Sequence, residues 1–176
     1  MKYRIILKLF VGAIFGAVLL TSCFDNDIPS VEEILKSNLE GADQERLAAD
    51  LKIIDDSLSR WGLVAQTEPN GVRYIVHTQG SGPKPTLRSG IIFNYEGRLL
   101  STNSVFDDGD MAGAPLSQLI VGWQTTLPLL NEGTRATLYI PSGYAYGARE
   151  IRDADNKVVV PANANLIFEI ELVDVR

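Results

Sequence analysis

The sequence is poor in two residue types that serve as catalytic bases, nucleophiles and metal ligands: it has one cysteine, Cys23, and one histidine, His77. A single cysteine excludes a disulfide within the chain and any cysteine-rich metal site. The usual zinc sites need several cysteine or histidine ligands, and a Ser-His-Asp hydrolase needs a histidine base. His77 falls inside a predicted strand, so we expect a packed or solvated side chain there.

The sequence also lacks the common signatures of nucleotide and calcium binding. It contains no phosphate loop and no Gly-x-Gly-x-x-Gly motif. The run from Asp153 to Asn156 is similar to a calcium loop in its oxygen ligands, but it lacks the turn glycine and the distal glutamate of that loop. We interpret this run as a solvated turn. The sequence therefore predicts neither a metal nor a cofactor.

The amino-terminal end has the pattern of an export signal. Basic residues open the chain, residues 9–20 are apolar or glycine, and small residues precede Cys23. This pattern is typical of a secretory signal, and the apolar stretch is shorter than the roughly 20 residues of a membrane-spanning helix. A cysteine at that place resembles the acylated cysteine of bacterial lipoproteins, while an ordinary signal peptide is the alternative. We predict a lipoprotein signal peptide at 1–22, lipid attachment at Cys23 and a tether at 23–29.

The charge balance excludes one class of partner. The full sequence has 16 basic and 22 acidic residues, and three of the basic residues are lost with the predicted leader. Nucleic-acid binding needs a basic face, so the acidic mature chain is not expected to bind nucleic acid. Anionic lipid would not attract it either, so a membrane contact would come from the acyl chains. We predict a lipid-anchored protein of the cell envelope of a Gram-negative bacterium, facing the periplasm or on the outer-membrane surface.

Residues 30–62 have the pattern of two consecutive helices. The stretch from Ser30 to Glu33 is a capping-box sequence, and Gly41 followed by Asp43 indicates a break and a restart. Apolar residues of the second helix recur at spacings of three and four on one face, at Leu47, Leu51, Ile54, Leu58 and Trp61. We predict that this stripe packs on the following domain. The alternative is a stalk or a homodimer contact through residues 43–61.

From residue 64 onward the pattern changes to short alternating segments, which predict strands. Alternation with period two is typical of antiparallel sheets with one buried face. Asp107 and Asp108 are interpreted as part of a glycine-containing turn, and residues 148–159 as a long flap. The result is an α+β domain over residues 64–176, which is a normal size for one domain. Its predicted elements are strands at 72–79, 91–100, 134–140 and 166–173, and one short helix at about 123–130.

Five aromatic residues are far apart in the sequence but are candidates to meet around one site. They are Tyr95, Phe106, Trp123, Tyr146 and Phe168. Aromatic side chains most often belong to an ordinary core. Their spacing alone therefore does not separate a binding pocket from a packed interior.

Several motifs in the same order make the chain similar to the FKBP family of peptidyl-prolyl isomerases. Residues 119–147 match without a gap, through Leu119-Ile120-Val121-Gly122-Trp123, Gly133, a strand ending in Ile140-Pro141, and Tyr144-Ala145-Tyr146-Gly147. Three further stretches match family motifs: Asn94 to Gly97, Val105 to Asp107, and Val160 to Phe168. The resemblance covers about residues 70–176. It implies a curved antiparallel half-barrel sheet that wraps one short helix, with the substrate between them.

The resemblance also implies roles for individual residues. Trp123 would form the pocket floor and Asp107 a polar edge, while the Ile120 backbone N–H and the Tyr146 hydroxyl would donate hydrogen bonds to ligand carbonyls. The implied catalytic residues are Asp107, Tyr146, Trp123 and Phe168. The implied substrate-binding residues are Tyr95, Phe106, Leu119, Ile120 and Val160.

Such a site needs no nucleophile. Amide resonance gives a rotation barrier of about 18–20 kcal/mol. A twisted amide has lost this resonance and much of its dipole, so an apolar pocket binds it better than the planar ground state. The resemblance therefore implies a peptidyl-prolyl isomerase, which we expect to act on proline-containing, unfolded or nascent exported polypeptides and to assist their folding at the envelope. The alternative is a non-catalytic peptide-binding or chaperone module on the same fold.

Overall fold

The computed structural model describes residues 29–176. The predicted leader at 1–22, the predicted lipid site Cys23 and all but the last residue of the tether predicted at 23–29 lie outside the described residues. No helix of residues 29–176 is both long enough and apolar enough to cross a bilayer.

A helical segment precedes a strand-rich domain. The helices are α1 (Val31–Glu40), α2 (Gln44–Trp61) and α3 (Val121–Thr126). The strands are β1 (Gln66–Thr67), β2 (Arg73–Thr78), β3 (Gly90–Leu99), β4 (Val105–Pro115), β5 (Arg135–Ile140), β6 (Ile151–Arg152), β7 (Val158–Val160) and β8 (Leu166–Val175). Short 3₁₀ turns occupy Leu116–Gln118, Leu127–Leu129 and Ser142–Tyr144.

The two amino-terminal helices begin where their capping residues predict. The Ser30 hydroxyl accepts a hydrogen bond from the Glu33 backbone N–H at 3.2 Å, and the Glu33 carboxylate accepts one from the Ser30 N–H at 2.8 Å. This is the predicted capping box. Asp43 caps α2 by accepting from the Arg46 N–H at 3.0 Å. Gly62 ends α2 in the left-handed conformation, at φ 65°, which glycine adopts without steric cost.

Six strands form one antiparallel sheet in the order β1-β2-β5-β8-β3-β4, and β6 pairs with β7 as a separate hairpin. Strand β8 lies in the interior of this sheet. Its residue Phe168 is opposite Leu138 of β5 on one side and Gly97 of β3 on the other. The predicted α+β class, with an antiparallel sheet, one short helix and a preceding helical segment, is confirmed.

Helix α3 packs closely on one face of the sheet. A β-carbon at Gly122 would lie 2.6 Å from a side-chain carbon of Ile140, so glycine is needed for this approach. The helix was predicted at about 123–130 but begins at Val121 and ends at Thr126. Pro128 explains the early end, because proline has no N–H to donate to the preceding turn.

Helix α2 covers part of the other face. Tyr139 of β5 and Ile167 of β8 would face solvent on a one-sided sheet, yet they are only 4% and 6% exposed. Ile54 and Leu58 of α2 pack against them. The prediction that the apolar stripe of α2 packs on the domain is confirmed, whereas the prediction of a sheet with one buried face is wrong at this end. A homodimer through 43–61 stays a prediction; the chain itself buries Leu47, Ile54 and Leu58 of the stripe that suggested it, and Trp61 is 46% exposed.

Strand β4 corrects the prediction that Asp107 and Asp108 belong to a turn. Both lie in β4 at the sheet edge, with Asp107 opposite Gly97 and Asp108 opposite Glu96. The strand also contains Gly109, Asp110 and Gly113, so it lacks the regular apolar alternation of β5 and β8. An edge strand tolerates such polar residues because one side of its backbone faces solvent. The predicted flap at 148–159 contains the β6–β7 hairpin except for its last residue, Val160.

We expect the contact between α2 and the sheet to contribute measurably to stability. Ile54 is fully buried, whereas its neighbour Ile53 is 47% exposed. Ile54→Ala should lower the free energy of unfolding by about 2–5 kcal/mol, because it leaves a cavity in the core. The matched control Ile53→Ala should change it by no more than about 0.5 kcal/mol. Urea denaturation measures both, and equal effects would contradict this packing.

Candidate active site

A hollow of ≈180 Å³ opens on the face of the sheet that α3 covers. All of the predicted site residues except Phe106 and Val160 line it. Its lining is mainly apolar and aromatic, with a single carboxylate. The lining residues are Phe93, Tyr95, Asp107, Ala112, Leu119, Ile120, Trp123, Tyr146 and Phe168.

The Trp123 indole forms the buried base of the hollow. Its centroid lies 4.9 Å from that of Phe93, 6.0 Å from that of Tyr95 and 5.3 Å from that of Phe168. All three pairs are close to perpendicular, which is a favourable arrangement because the positive ring edge meets the negative ring face. Trp123 and Phe168 are each 3% exposed. The base is therefore packed as firmly as the core.

Gly97 makes room for two rings. It lies in β3 directly opposite Phe168. A β-carbon at this position would be 2.7 Å from the Phe106 ring and 2.9 Å from the Phe168 ring, closer than real contacts allow. Any larger residue at 97 would displace Phe168, and the base of the hollow with it.

Two residues predicted as pocket walls do not line the hollow. Phe106 packs edge-on against Phe168, with 5.7 Å between centroids, and supports it from outside the hollow. Val160 is 1% exposed and belongs to the main core. In this structure both are packing residues, and their contact with substrate stays a prediction.

Two residues that line the hollow were missed by the sequence reasoning. Phe93 precedes Tyr95 by two positions, so the period of a strand puts both on one face, and this signal could have identified it. Ala112 lies opposite Phe93 on β4. No sequence pattern indicated Ala112 as a site residue, because β4 was not predicted as a strand.

A hydrogen bond defines the polar edge of the hollow. The Tyr95 hydroxyl donates to Asp107 Oδ2 at 2.8 Å. Burial, this hydrogen bond and the negative charge of Asp107 raise the pKa of Tyr95 to about 12. The phenol is therefore neutral at physiological pH, and the carboxylate is held in one orientation.

Tyr146 supplies a second hydroxyl, from the turn that follows β5. Among residues 29–176, no group accepts a hydrogen bond from this hydroxyl. Burial raises the pKa of Tyr146, the charge of Asp107 raises it further, and Arg149 opposes the shift. The Arg149 guanidinium carbon lies 5.9 Å from the Tyr146 ring centroid, within cation–π range. Tyr146 is thus a neutral hydrogen-bond donor facing the hollow.

The beginning of α3 supplies a backbone donor. Ile120 is the N-cap residue of the helix, and its carbonyl accepts from the N–H groups of Trp123 and Gln124 at 2.9 and 3.2 Å. No described residue accepts a hydrogen bond from the Ile120 N–H itself. Leu119 and Ile120 lie at the helix entrance, as predicted. The site thus combines an apolar hollow, two donors without a partner in the described chain, and one fixed carboxylate.

A second hollow of similar size, ≈190 Å³, is lined mostly by polar side chains, including Glu96, Glu169 and Glu171. It suits an apolar ring poorly. His77 lies at this hollow, with its Nε2 2.7 Å from Thr137 Oγ1, and does not approach the aromatic site. Over residues 29–176, no three His, Cys, Asp or Glu side chains are grouped in a way that could hold a metal ion.

Comparisons with known proteins identify a matching family model and similar solved structures. A sequence model of the FKBP-type peptidyl-prolyl cis-trans isomerases matches residues 82–173. A crystal structure of a peptidyl-prolyl cis-trans isomerase from Pseudomonas syringae pv. tomato is similar with a TM-score of 0.63 at 28% identity, over 75% of this chain and 94% of that chain.

Two curated relatives are similar in sequence. The protein named "Probable FKBP-type peptidyl-prolyl cis-trans isomerase FkpA" of Neisseria meningitidis serogroup B is 40% identical over 114 residues, which are 62% of this chain and 40% of that protein. The protein named "Outer membrane protein MIP" of Legionella longbeachae is 32% identical over 112 residues, 61% of this chain and 46% of that protein. The chain therefore spans less than half the length of each.

The raised pKa of Tyr95 gives a prediction for pH titration. We expect the Tyr95 phenol to titrate at about 12, and its pKa to fall in an Asp107→Asn variant that removes the negative charge. The folded-state pKa exceeds the value of about 10 for an unfolded chain. Its contribution to stability is therefore complete below about pH 10 and is lost as the pH rises through about 12. NMR titration of the labelled phenol carbon measures this, and an unchanged value in Asp107→Asn would contradict the coupling.

Proposed function

Because the chain belongs to the family of FKBP-type peptidyl-prolyl cis-trans isomerases, we propose that it catalyses cis-trans isomerisation of Xaa-Pro bonds in polypeptides. The observation that carries this proposal is the apolar hollow with Trp123 at its base and Asp107 at its edge. A pyrrolidine ring is apolar and compact, so it suits this lining. The substrates proposed are unfolded or nascent exported chains that contain proline.

The first contribution of the site is to take the amide out of water. Trp123, Phe168 and Phe93 offer ring faces and edges to the proline ring, and the two most buried of them are 3% exposed. Water stabilises the planar amide through its large dipole, and the barrier to rotation is about 18–20 kcal/mol. An apolar surrounding favours the twisted amide, which has less dipole, and so lowers the barrier.

The second contribution is to hold the substrate backbone while the amide twists. The Ile120 N–H and the Tyr146 hydroxyl have no partner among the described residues, so both are available to substrate carbonyl oxygens. Asp107, fixed by Tyr95, puts one negative charge at the rim, against which the amide dipole reorients. No covalent step and no cofactor are needed for this mechanism.

We also propose that the protein acts at the cell envelope, held by lipid on Cys23. The sequence pattern over residues 1–22 supports export, and the small residues before Cys23 support acylation. A relative named as an outer membrane protein supports the same location. The acidic balance of the chain makes acyl chains the expected membrane contact.

The activity is tested with a protease-coupled assay on a proline tetrapeptide. We expect wild-type turnover, and a loss of about tenfold in kcat/KM for Tyr146→Phe, the loss of one transition-state contact of about 1.4 kcal/mol. Tyr74→Phe is the matched control, since it removes a hydroxyl that donates to Gln66, distant from the hollow. Equal activity of the two variants would refute the role of Tyr146. An inactive protein that still binds an unfolded chain tightly would favour a peptide-binding module.

The anchor is tested by phase separation in nonionic detergent. We expect the wild-type protein, expressed with its leader, to enter the detergent phase, and Cys23→Ser to stay in the aqueous phase because its side chain forms no thioether. Isomerase activity per molecule should be the same in both, since Cys23 precedes the described domain. A mature wild-type protein that stays in the aqueous phase would exclude lipid on this residue.

A further inference from the structure

One buried carboxylate connects α2 with the turn that contains Tyr146. The Asp50 side chain has no exposed surface, which is rare for aspartate unless it is paired. Its Oδ2 accepts hydrogen bonds from the Ser142 backbone N–H, at 3.0 Å, and from the Ser142 hydroxyl. Arg46, one turn earlier on α2, places Nη2 2.9 Å from Asp50 Oδ1.

Ser142 in turn restrains the backbone around Tyr146. Its carbonyl accepts from the N–H groups of Ala145 at 3.0 Å and Gly147 at 2.8 Å, the two residues that flank Tyr146. Its own N–H is shared with Asn165 Oδ1 at 3.0 Å. Fixing Ser142 therefore fixes the backbone on both sides of Tyr146.

Arg46 provides a second connection. Its Nη2 also donates to the Asn163 carbonyl at 2.8 Å, and the Asn163 N–H donates to the Gly147 carbonyl at 2.7 Å. Asn163 has φ 58°, a left-handed conformation that asparagine adopts more readily than most residues. The turn around Tyr146 is thus tied to α2 from two directions.

The chemistry of this contact differs from the apolar packing further along α2. One turn further along, α2 packs on the sheet through the apolar Ile54, which is fully buried. The Asp50 carboxylate loses its hydration, while the Arg46 side chain stays 39% exposed, so this contact need not stabilise the fold more than apolar packing of the same volume. Its hydrogen bonds, however, fix direction and distance, which apolar packing does not. Helix α2 lies outside residues 82–173, which the family model matches, so the contact joins the matched domain to a helix that precedes it.

We propose that Asp50 is a positioning residue for the active site, which sets the place of the Tyr146 hydroxyl by holding Ser142. Helix α2 is then part of the catalytic unit and does more than extend the core. This inference rests on the proposed isomerase function, because Asp50 acts through Tyr146.

The first test compares variants of one helix. At a temperature where every variant is folded, we expect Asp50→Ala to lower kcat/KM about tenfold, since misplaced groups cost up to about 100-fold. Asp50→Asn keeps an acceptor oxygen for Ser142 and should recover most of that activity. The control Ile54→Ala should lower the melting temperature and leave kcat/KM unchanged. An equal loss of activity in Ile54→Ala would mean that any loosening of α2 has this effect, and would overturn the inference.

The second test is a double-mutant cycle with Tyr146→Phe. If Asp50 acts through the Tyr146 hydroxyl, Asp50→Ala should cost little further activity once that hydroxyl is gone. If the double variant loses kcat/KM by the product of the two single-variant losses, Asp50 acts elsewhere. If the wild-type protein itself shows no turnover, the result counts against the isomerase function. A fully active Asp50→Ala beside an impaired Tyr146→Phe would overturn only the positioning role.

Ser142→Ala carries the test if Asp50→Ala does not fold. It removes the hydroxyl contact from the other end and leaves the ion pair of Arg46 and Asp50 in place. We expect lower kcat/KM and faster hydrogen exchange of the Ala145 and Gly147 amides, with protection elsewhere in β5 and β8 unchanged. Wild-type activity and wild-type exchange at both amides would overturn the inference.

Discussion

The perpendicular contact between Trp123 of α3 and Phe168 of β8 is the interaction on which both the core and the hollow depend. Their centroids lie 5.3 Å apart, and each residue is 3% exposed. The contact joins the one helix on this face to an interior strand of the sheet. One side of the ring pair faces the core and the other forms the base of the hollow. Stability and binding are therefore not separable at these two positions, whereas the hydroxyl of Tyr146 has no packing role to lose.

The two faces of the sheet are packed by different helices, α3 and α2. Helix α3 approaches its face at Gly122, close to Ile140, and brings Trp123 into the site. Helix α2 covers the other face with Ile54 and Leu58. The sheet is therefore packed on both faces, with the hollow on the face of α3 and an apolar contact on the face of α2.

Sequence patterns predicted the elements whose structure follows from residues close together in the sequence. Period-two alternation identified β5 and β8, capping residues gave the starts of α1 and α2, and ordered motifs located most of the hollow. Strand β4 was missed because its aspartates and glycines suit both an edge and a turn. Asp50 had no local signal at all, since its partner Ser142 is 92 positions away and only the folded chain shows their contact.

The open edge of the sheet has a consequence for a protein whose proposed substrates are unfolded chains. An unpaired strand edge offers backbone donors and acceptors to any extended polypeptide, and an unprotected edge can aggregate by strand addition. Along β4, Asp108 and Asp110 place charge at this edge, and Met111 at φ 53° departs from extended geometry. Under the proposed function, a proline would enter the aromatic hollow while the charged, irregular edge of β4 disfavours pairing of the rest of the unfolded chain as a seventh strand.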